Sequence, residues 1–174
     1  MPFPNFTGQV NTSNYFSQDG SYENLTLLSG SAKIGRNGNL SIGVGNDFNL
    51  NPNGSYTNKP AVEVKYSQNY GKTELFGNDV NFRGYARYQH IGGKNKLRVT
   101  SGVSVPVNKK LSLYTDAHYT TGFEPGKDKA GFWVGGSYKV NKHLSLWAEP
   151  YQMNFNLSTG EHSRLHNICA TYKF

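Results

Sequence analysis

Apolar and polar residues alternate along most of the chain. Over 111–123, alternate positions read Leu111, Leu113, Thr115, Ala117, Tyr119, Thr121, Phe123, and the positions between them read Ser112, Tyr114, Asp116, His118, Thr120, Gly122. Successive side chains of a strand point to opposite faces, so this segment is a strand with one apolar and one polar face. The division recurs where Leu97, Val99, Ser101, Val103, Val105 and Val107 alternate with Arg98, Thr100, Gly102 and Ser104. It recurs where Phe132, Val134, Gly136, Tyr138 and Val140 alternate with Trp133, Gly135, Ser137 and Lys139. Leu144, Leu146 and Ala148 continue it until Pro150, beyond which the apolar set becomes Tyr151, Met153, Phe155 and Leu157. A proline followed by a change of phase predicts a β-bulge. No stretch keeps apolar residues at i, i+3, i+4 and i+7 long enough for a helix.

The pattern predicts strands over 25–35, 39–50, 60–70, 81–92, 96–107, 110–123, 130–140, 143–157 and 164–174. Residues 5–16, with Phe6, Val10 and Phe16 on one side, supply a tenth; residues 1–20 are then a first strand or an N-terminal extension of one barrel domain spanning 1–174. Short connections (Arg36-Asn37-Gly38, Asn108-Lys109-Lys110, Asn141-Lys142-His143) alternate with longer ones at 51–59, 124–129 and 158–163. Their Asn, Gly and Pro are turn formers. Two connections break the alternation: 71–80 is of middling length, and Gly92-Gly93-Lys94-Asn95 is short where a long loop is due. Consecutive two-faced hairpins leave two bare edges unless the sheet closes. The expected fold is therefore all-β, a closed antiparallel up-and-down barrel of ten strands, with eight as the alternative.

Alternation leaves the orientation open. A soluble lipocalin-like barrel turns its apolar face inward around an apolar ligand, whereas a transmembrane barrel turns it to lipid and fills its lumen with polar groups. Composition decides between them. Charged residues are 17% of the 174, below the roughly 25% of ordinary soluble domains. The polar face carries Gly, Ser and Thr with charges of both signs rather than a solvated Lys/Glu coat. Tyr66, Tyr70, Tyr88, Tyr119, Phe123, Phe155, Tyr172 and Phe174 fall near strand ends on the apolar face, as membrane-interface girdles do. Strands near 11 residues suit a tilted crossing of about 9–11. The formal net charge of +7 comes from dispersed residues, without the basic stripe and interleaved aromatics of a nucleic-acid binder. The single cysteine, Cys169, excludes an internal disulfide and a cysteine zinc site.

The segment His166-Asn167-Ile168-Cys169-Ala170-Thr171-Tyr172-Lys173-Phe174 ends on an aromatic with another aromatic two positions earlier. In this it resembles the bacterial outer-membrane β-barrel proteins. The resemblance implies a bacterial outer-membrane location, contact with membrane lipids, and recognition of Asn167, Tyr172 and Phe174 by the outer-membrane assembly machinery. Cys169 stands where that family often has Gly. The resemblance also implies an export signal, which the opening Met1-Pro2-Phe3-Pro4 does not supply.

In the membrane orientation Glu63, Lys65, Arg83, Tyr85, Arg87, Arg98, Asp116, His118, Lys139 and Glu149 face the lumen. Arg83, Arg87 and Arg98 share one face of adjacent strands, which reads as an anion-attracting strip or as a set of internal ion pairs with Glu63, Asp116 and Glu149. Ten strands enclose little more than side chains fill, so any passage is narrow. His118-Tyr119-Thr120, with Asp116 before it, has a spacing similar to the His-x-Ser pair of outer-membrane lipid A deacylases, with Thr for Ser and a luminal rather than lipid-facing position. A satisfied hydrogen-bond network is the plainer reading. His162 and His166 are too few for a metal site, and neither metal nor cofactor is expected. The expected role is structural, surface-interacting, or a narrow pore for small polar or anionic solutes. The alternatives are the soluble ligand-binding barrel and a lipid-modifying outer-membrane enzyme.

Overall fold

The computed structural model describes residues 7–75 and 77–174. Ten strands follow in chain order: β1 Thr7–Ser17, β2 Tyr22–Ile34, β3 Gly38–Leu50, β4 Tyr56–Leu75, β5 Asn78–Ile91, β6 Lys94–Pro106, β7 Leu111–Thr121, β8 Lys129–Lys139, β9 Leu144–Asn156 and β10 His162–Lys173. Each is antiparallel to its neighbour, and β1 pairs with β10 from Gln9↔Lys173 to Ser17↔Leu165, which closes the barrel. Closure satisfies the backbone groups that an open sheet edge would leave bare. Of the predicted first strand, Val10 and Phe16 project outward as expected; Asn5 and Phe6 lie outside the described residues.

The apolar face is the outer one. Leu113 is 52% exposed, Val134 47% and Ile168 57%, while Asp116, Thr120 and Asn167 on the alternate positions are nearly buried inside the wall. All eight predicted girdle aromatics project outward. They divide between the ends: Tyr66, Tyr70, Tyr172 and Phe174 lie at the short-turn end, and Tyr88, Tyr119, Phe123 and Phe155 at the other. The 122–128 loop is tied to the second girdle by the Tyr119 hydroxyl, which donates 2.6 Å to Asp128 Oδ2. This bond holds the Asp128 carboxyl below the usual carboxylate range.

The phase change at Pro150 is a bulge felt on both sides of β9. The register shifts between Val134 and Gly136 on β8 and between Leu165 and Asn167 on β10. Pro150 has no N–H to give, and its carbonyl accepts a bond from His166 Nδ1 at 2.6 Å.

The two irregular connections have specific geometries. Residues 71–75 and 78–80 are paired rather than looped, so β4 and β5 run on as one hairpin to Leu75↔Asn78, past the end of β3 at Gly38↔Gln68. A second bulge between Asn69 and Gly71 lets this happen: Gly71 has φ +129°, and its N–H donates 3.1 Å to Asn69 Oδ1. At the opposite end Gly92 and Gly93, both with positive φ, make a two-residue turn between Ile91 and Lys94. Such turns need φ > 0 at both central residues, which is why Gly-Gly replaces a long loop.

Candidate functional site: a basic vestibule in the lumen

The lumen has two unequal halves. From the short-turn end a cavity of about 580 Å³ runs inward between Asn37, Gln68, Ser137 and Lys173 at its mouth and Tyr15, Leu25, Arg87, Arg98 and Trp133 at its floor. Five basic and three acidic side chains line it: Lys65, Arg83, Arg87, Arg98 and Lys173 against Glu63, Asp116 and Glu149. Beyond the floor the barrel is packed with polar groups, among them Gln89, Thr100, His118, Thr120, Gln152, Asn154 and the Asp47 carboxylate, all at most 6% exposed, with the charged Glu23 and Lys96 beside them. A separate cavity of about 120 Å³ lies at the long-loop end, and Tyr15 borders both.

Three polar contacts knit the lumen, two in the vestibule wall and one in the packed half, and each passes over a glycine on the strand between its partners. Arg83 lies opposite Gly102, which lies opposite Asp116. With no side chain between them, Arg83 Nε reaches Asp116 Oδ1 at 3.2 Å and Nη2 reaches Oδ2 at 2.7 Å. A Cβ on Gly102 would meet the Asp116 carboxylate and the Thr115 carbonyl. In the same way His118 spans Gly131 to Asn154, Nε2 to Oδ1 at 2.8 Å, and the Tyr114 hydroxyl spans Gly135 to donate 3.1 Å to Glu149 Oε1. Asn167 donates 2.9 Å to the other oxygen of Glu149.

Aromatic rings also hold three of the cations. The Arg83 guanidinium lies 4.4 Å over Tyr114, the Lys65 ammonium 4.5 Å over Tyr85, and the Arg98 guanidinium 5.6 Å over Trp133. Such placement attracts a cation through the ring quadrupole. Trp133 also donates Nε1 2.8 Å to Asp116 Oδ2 and stacks on His118 with centroids 4.5 Å apart.

No family model matches the chain, and no curated protein sequence matches it. Its backbone is similar to solved structures. LpxR from Salmonella typhimurium aligns over 88% of this chain and 73% of its own, at 10% identity and a TM-score of 0.58. The translocator domain of autotransporter NalP from Neisseria meningitidis aligns over 97% and 88%, at 11% and 0.52. The NanC porin aligns over 95% and 100%, at 13% and 0.50. The chain has the outer-membrane β-barrel fold.

Within this outer-membrane-type barrel, eight of the sequence candidates line the vestibule: Glu63, Lys65, Arg83, Tyr85, Arg87, Arg98, Asp116 and Glu149. The other two do not. His118 lies behind Trp133 in the packed half, and Lys139 is exposed at the end of β8. His118 and Thr120 share a face but do not meet: Thr120 Oγ1 accepts from Arg98 Nε at 3.0 Å, and His118 is held by Asn154. Asp116 spends both oxygens on Arg83 and Trp133, so it does not orient the imidazole. The arrangement is an ion-pair and stacking network rather than a nucleophile–base relay.

Asn167, one of the three terminal-strand candidates, is buried against Glu149, whereas Tyr172 stacks on His143 and Phe174 pairs its N–H with the Gly8 carbonyl at 3.0 Å. Cys169 is buried against Ser13 and Asn167. The sequence reading assigns Trp133 and Tyr114 to the polar face without singling them out. Their signal was present: a large ring on an otherwise small and polar luminal face.

Proposed function

We propose that the chain is a non-enzymatic bacterial outer-membrane barrel that takes small anions into its lumen from the short-turn, periplasmic side and restricts their passage at the Arg87–Arg98–Trp133 floor. In this reading Tyr172 and Phe174 present the terminal signal to the outer-membrane assembly machinery.

The observation that carries the proposal is the direct cross-strand pairing of Arg87 with Arg98. Like charges directly opposite on one sheet face repel. Among the described residues Glu63 is the one carboxylate within ion-pair distance of either guanidinium: its Oε2 is 3.8 Å from Arg87 Nη1 and already accepts from Gln89 at 2.9 Å, while Glu23 and Glu149 act on the pair from farther off. Arg98 has a hydroxyl and an indole face instead of a carboxylate, and the Arg87 Nε–H is buried without an acceptor. A small anion between the pair relieves the repulsion and fills the free donor.

Planar-bilayer recording tests this. The expected result is a small conductance whose reversal potential in a potassium chloride gradient is that of an anion-preferring pore. Arg87→Gln with Arg98→Gln is expected to abolish the preference. Cation preference, or a selectivity indifferent to both substitutions, overturns the proposal. The packed outer half of the lumen supports a second reading, a closed structural barrel, and a silent membrane would favour it.

A further inference from the structure

The lipid-facing wall is not uniformly apolar. On β1–β4 the outward residues form four cross-strand rows. The row nearest the middle is Val10–Leu28–Val44–Val62, and the row at the long-loop rim is Phe16–Tyr22–Leu50–Tyr56. Between them lie Thr12–Thr26–Asn46–Pro60 and Asn14–Asn24–Phe48–Asn58. Six hydrogen-bonding side chains therefore sit on the hydrocarbon side of an aromatic rim, where Phe16 packs on Tyr22 at 5.3 Å and Tyr22 on Phe48 at 6.5 Å.

Four of the six bond to one another. Asn24 Nδ2 donates to Thr12 Oγ1 at 3.1 Å and to Asn14 Oδ1 at 2.8 Å, and Thr26 Oγ1 donates to Asn24 Oδ1 at 3.0 Å. Asn46, exposed between Val44 and Phe48, has no side-chain hydrogen bond among the described residues. Lipid tails offer such groups nothing, and an unmatched amide in hydrocarbon is costly.

The chemistry of the patch selects its occupant. No lysine, arginine or carboxylate lies in the two polar rows, so an anionic headgroup finds no counter-charge there. Every asparagine amide is both donor and acceptor, as is every threonine hydroxyl, which makes the patch complementary to itself. A self-complementary surface is what a two-fold interface requires, and amide and hydroxyl pairs are the groups that join helices across lipid. We propose that this face is the contact between two copies of the chain, with Asn46 of each copy bonding to the other near the two-fold axis. The proposal rests on the membrane placement argued above.

The test is the oligomeric state of the full chain in lipid nanodiscs, by native mass spectrometry, with dissociation followed by dilution. The expected result is a dimer whose dissociation constant rises at least tenfold in Asn46→Leu and further in Asn14→Leu/Asn24→Leu/Asn46→Leu. Asn46→Leu removes no internal bond and serves if the triple variant does not fold. On mild oxidation Asn46→Cys is expected to cross-link, whereas Ser101→Cys, outward on β6 of the far wall, is expected not to. A wild-type monomer, a dimer untouched by Asn46→Leu, or equal cross-linking of both cysteine variants overturns the interface. A monomer carrying a bound lipid also overturns it, with the lipid as occupant. Failure of the membrane reading looks different: the chain would then be a detergent-free soluble monomer.

Discussion

Asp116→Ala is expected to destabilise the folded barrel by about 3 kcal/mol, the lower end of the range for removing one member of a buried ion pair. The carboxylate is 3% exposed and accepts both nitrogens of a bidentate arginine together with the Trp133 indole N–H. Its loss leaves Arg83 facing the neighbouring arginines uncompensated and Trp133 without its acceptor. The lower end applies because the Arg83 side chain is 38% exposed, and solvent at an exposed charge screens part of what is uncovered. Asp116→Asn keeps an acceptor for one donor and gives up the charge, so its cost is smaller, about 1–2 kcal/mol by the worth of hydrogen bonds to charged groups. Urea titrations of the protein folded into vesicles, read by tryptophan fluorescence and by gel mobility, rank the two variants. Equal midpoints for Asp116→Ala and the wild type would remove the pair from the account of stability. Gly102→Val is expected to do comparable damage from the strand between, because its side chain occupies the space through which Arg83 and Asp116 meet.

That gap over Gly102 marks where the sequence stops being readable. Period two assigns Arg83 and Asp116 to the lumen, but they stand on β5 and β7, with the whole of β6 between them. The partners are settled only by the registers Arg83↔Gly102 and Gly102↔Asp116. Those registers follow from turn lengths that alternation does not give. The relay reading of Asp116, His118 and Thr120, already less plain in the sequence than a hydrogen-bond network, lacks its geometry for the same reason. Asp116 is two residues from His118 along one strand, about 7 Å by strand geometry, while Trp133 is directly opposite Asp116 and Asn154 is one glycine away from His118.

The ladder itself was far more legible. Strand ends fall within a few residues of those expected from alternation, and Pro150 marks a bulge because a proline cannot join the ladder on one side. The hairpin at 71–80 was not legible. Lys72, Asp79 and Asn78 read as loop composition, yet they pair beyond the barrel rim, helped by the exposed Lys72–Asp79 bridge at 3.1 Å. That extension is exposed on both faces, so the apolar–polar rule that reveals the other strands has no reason to hold there. The lumen also contains a small apolar cluster, Leu25, Leu27, Ala61 and Ile91. Alternation misassigns it because on β2 the apolar Leu25 and Leu27 point inward while the polar Asn24 and Thr26 point outward, the reverse of the pattern elsewhere.

Val134→Arg is expected to cost about 2–4 kcal/mol of stability in a bilayer, the penalty for a basic side chain on a lipid-facing barrel position at the midplane. Val134 is the central residue of the 11-residue β8, projects outward at 47% exposure, and pairs with the outward Thr115 and Tyr151. The same substitution on the outside of a soluble barrel would touch only water and stay within about 0.5 kcal/mol of the wild type. Depth supplies the internal control. Tyr138, also outward on β8 but four residues nearer the short-turn end, lies where the interface lets an arginine reach headgroups, and Tyr138→Arg is expected to cost about 0–1 kcal/mol from its charge. Folding titrations into phosphatidylcholine vesicles measure both variants against the wild type. A steep dependence on depth along a single strand is a property of hydrocarbon and not of water, because only hydrocarbon excludes the charge more strongly toward its centre. Equal, small effects at Val134 and Tyr138 would return the outer wall to solvent, and with it the anion vestibule and the two-copy contact would lose the membrane they require.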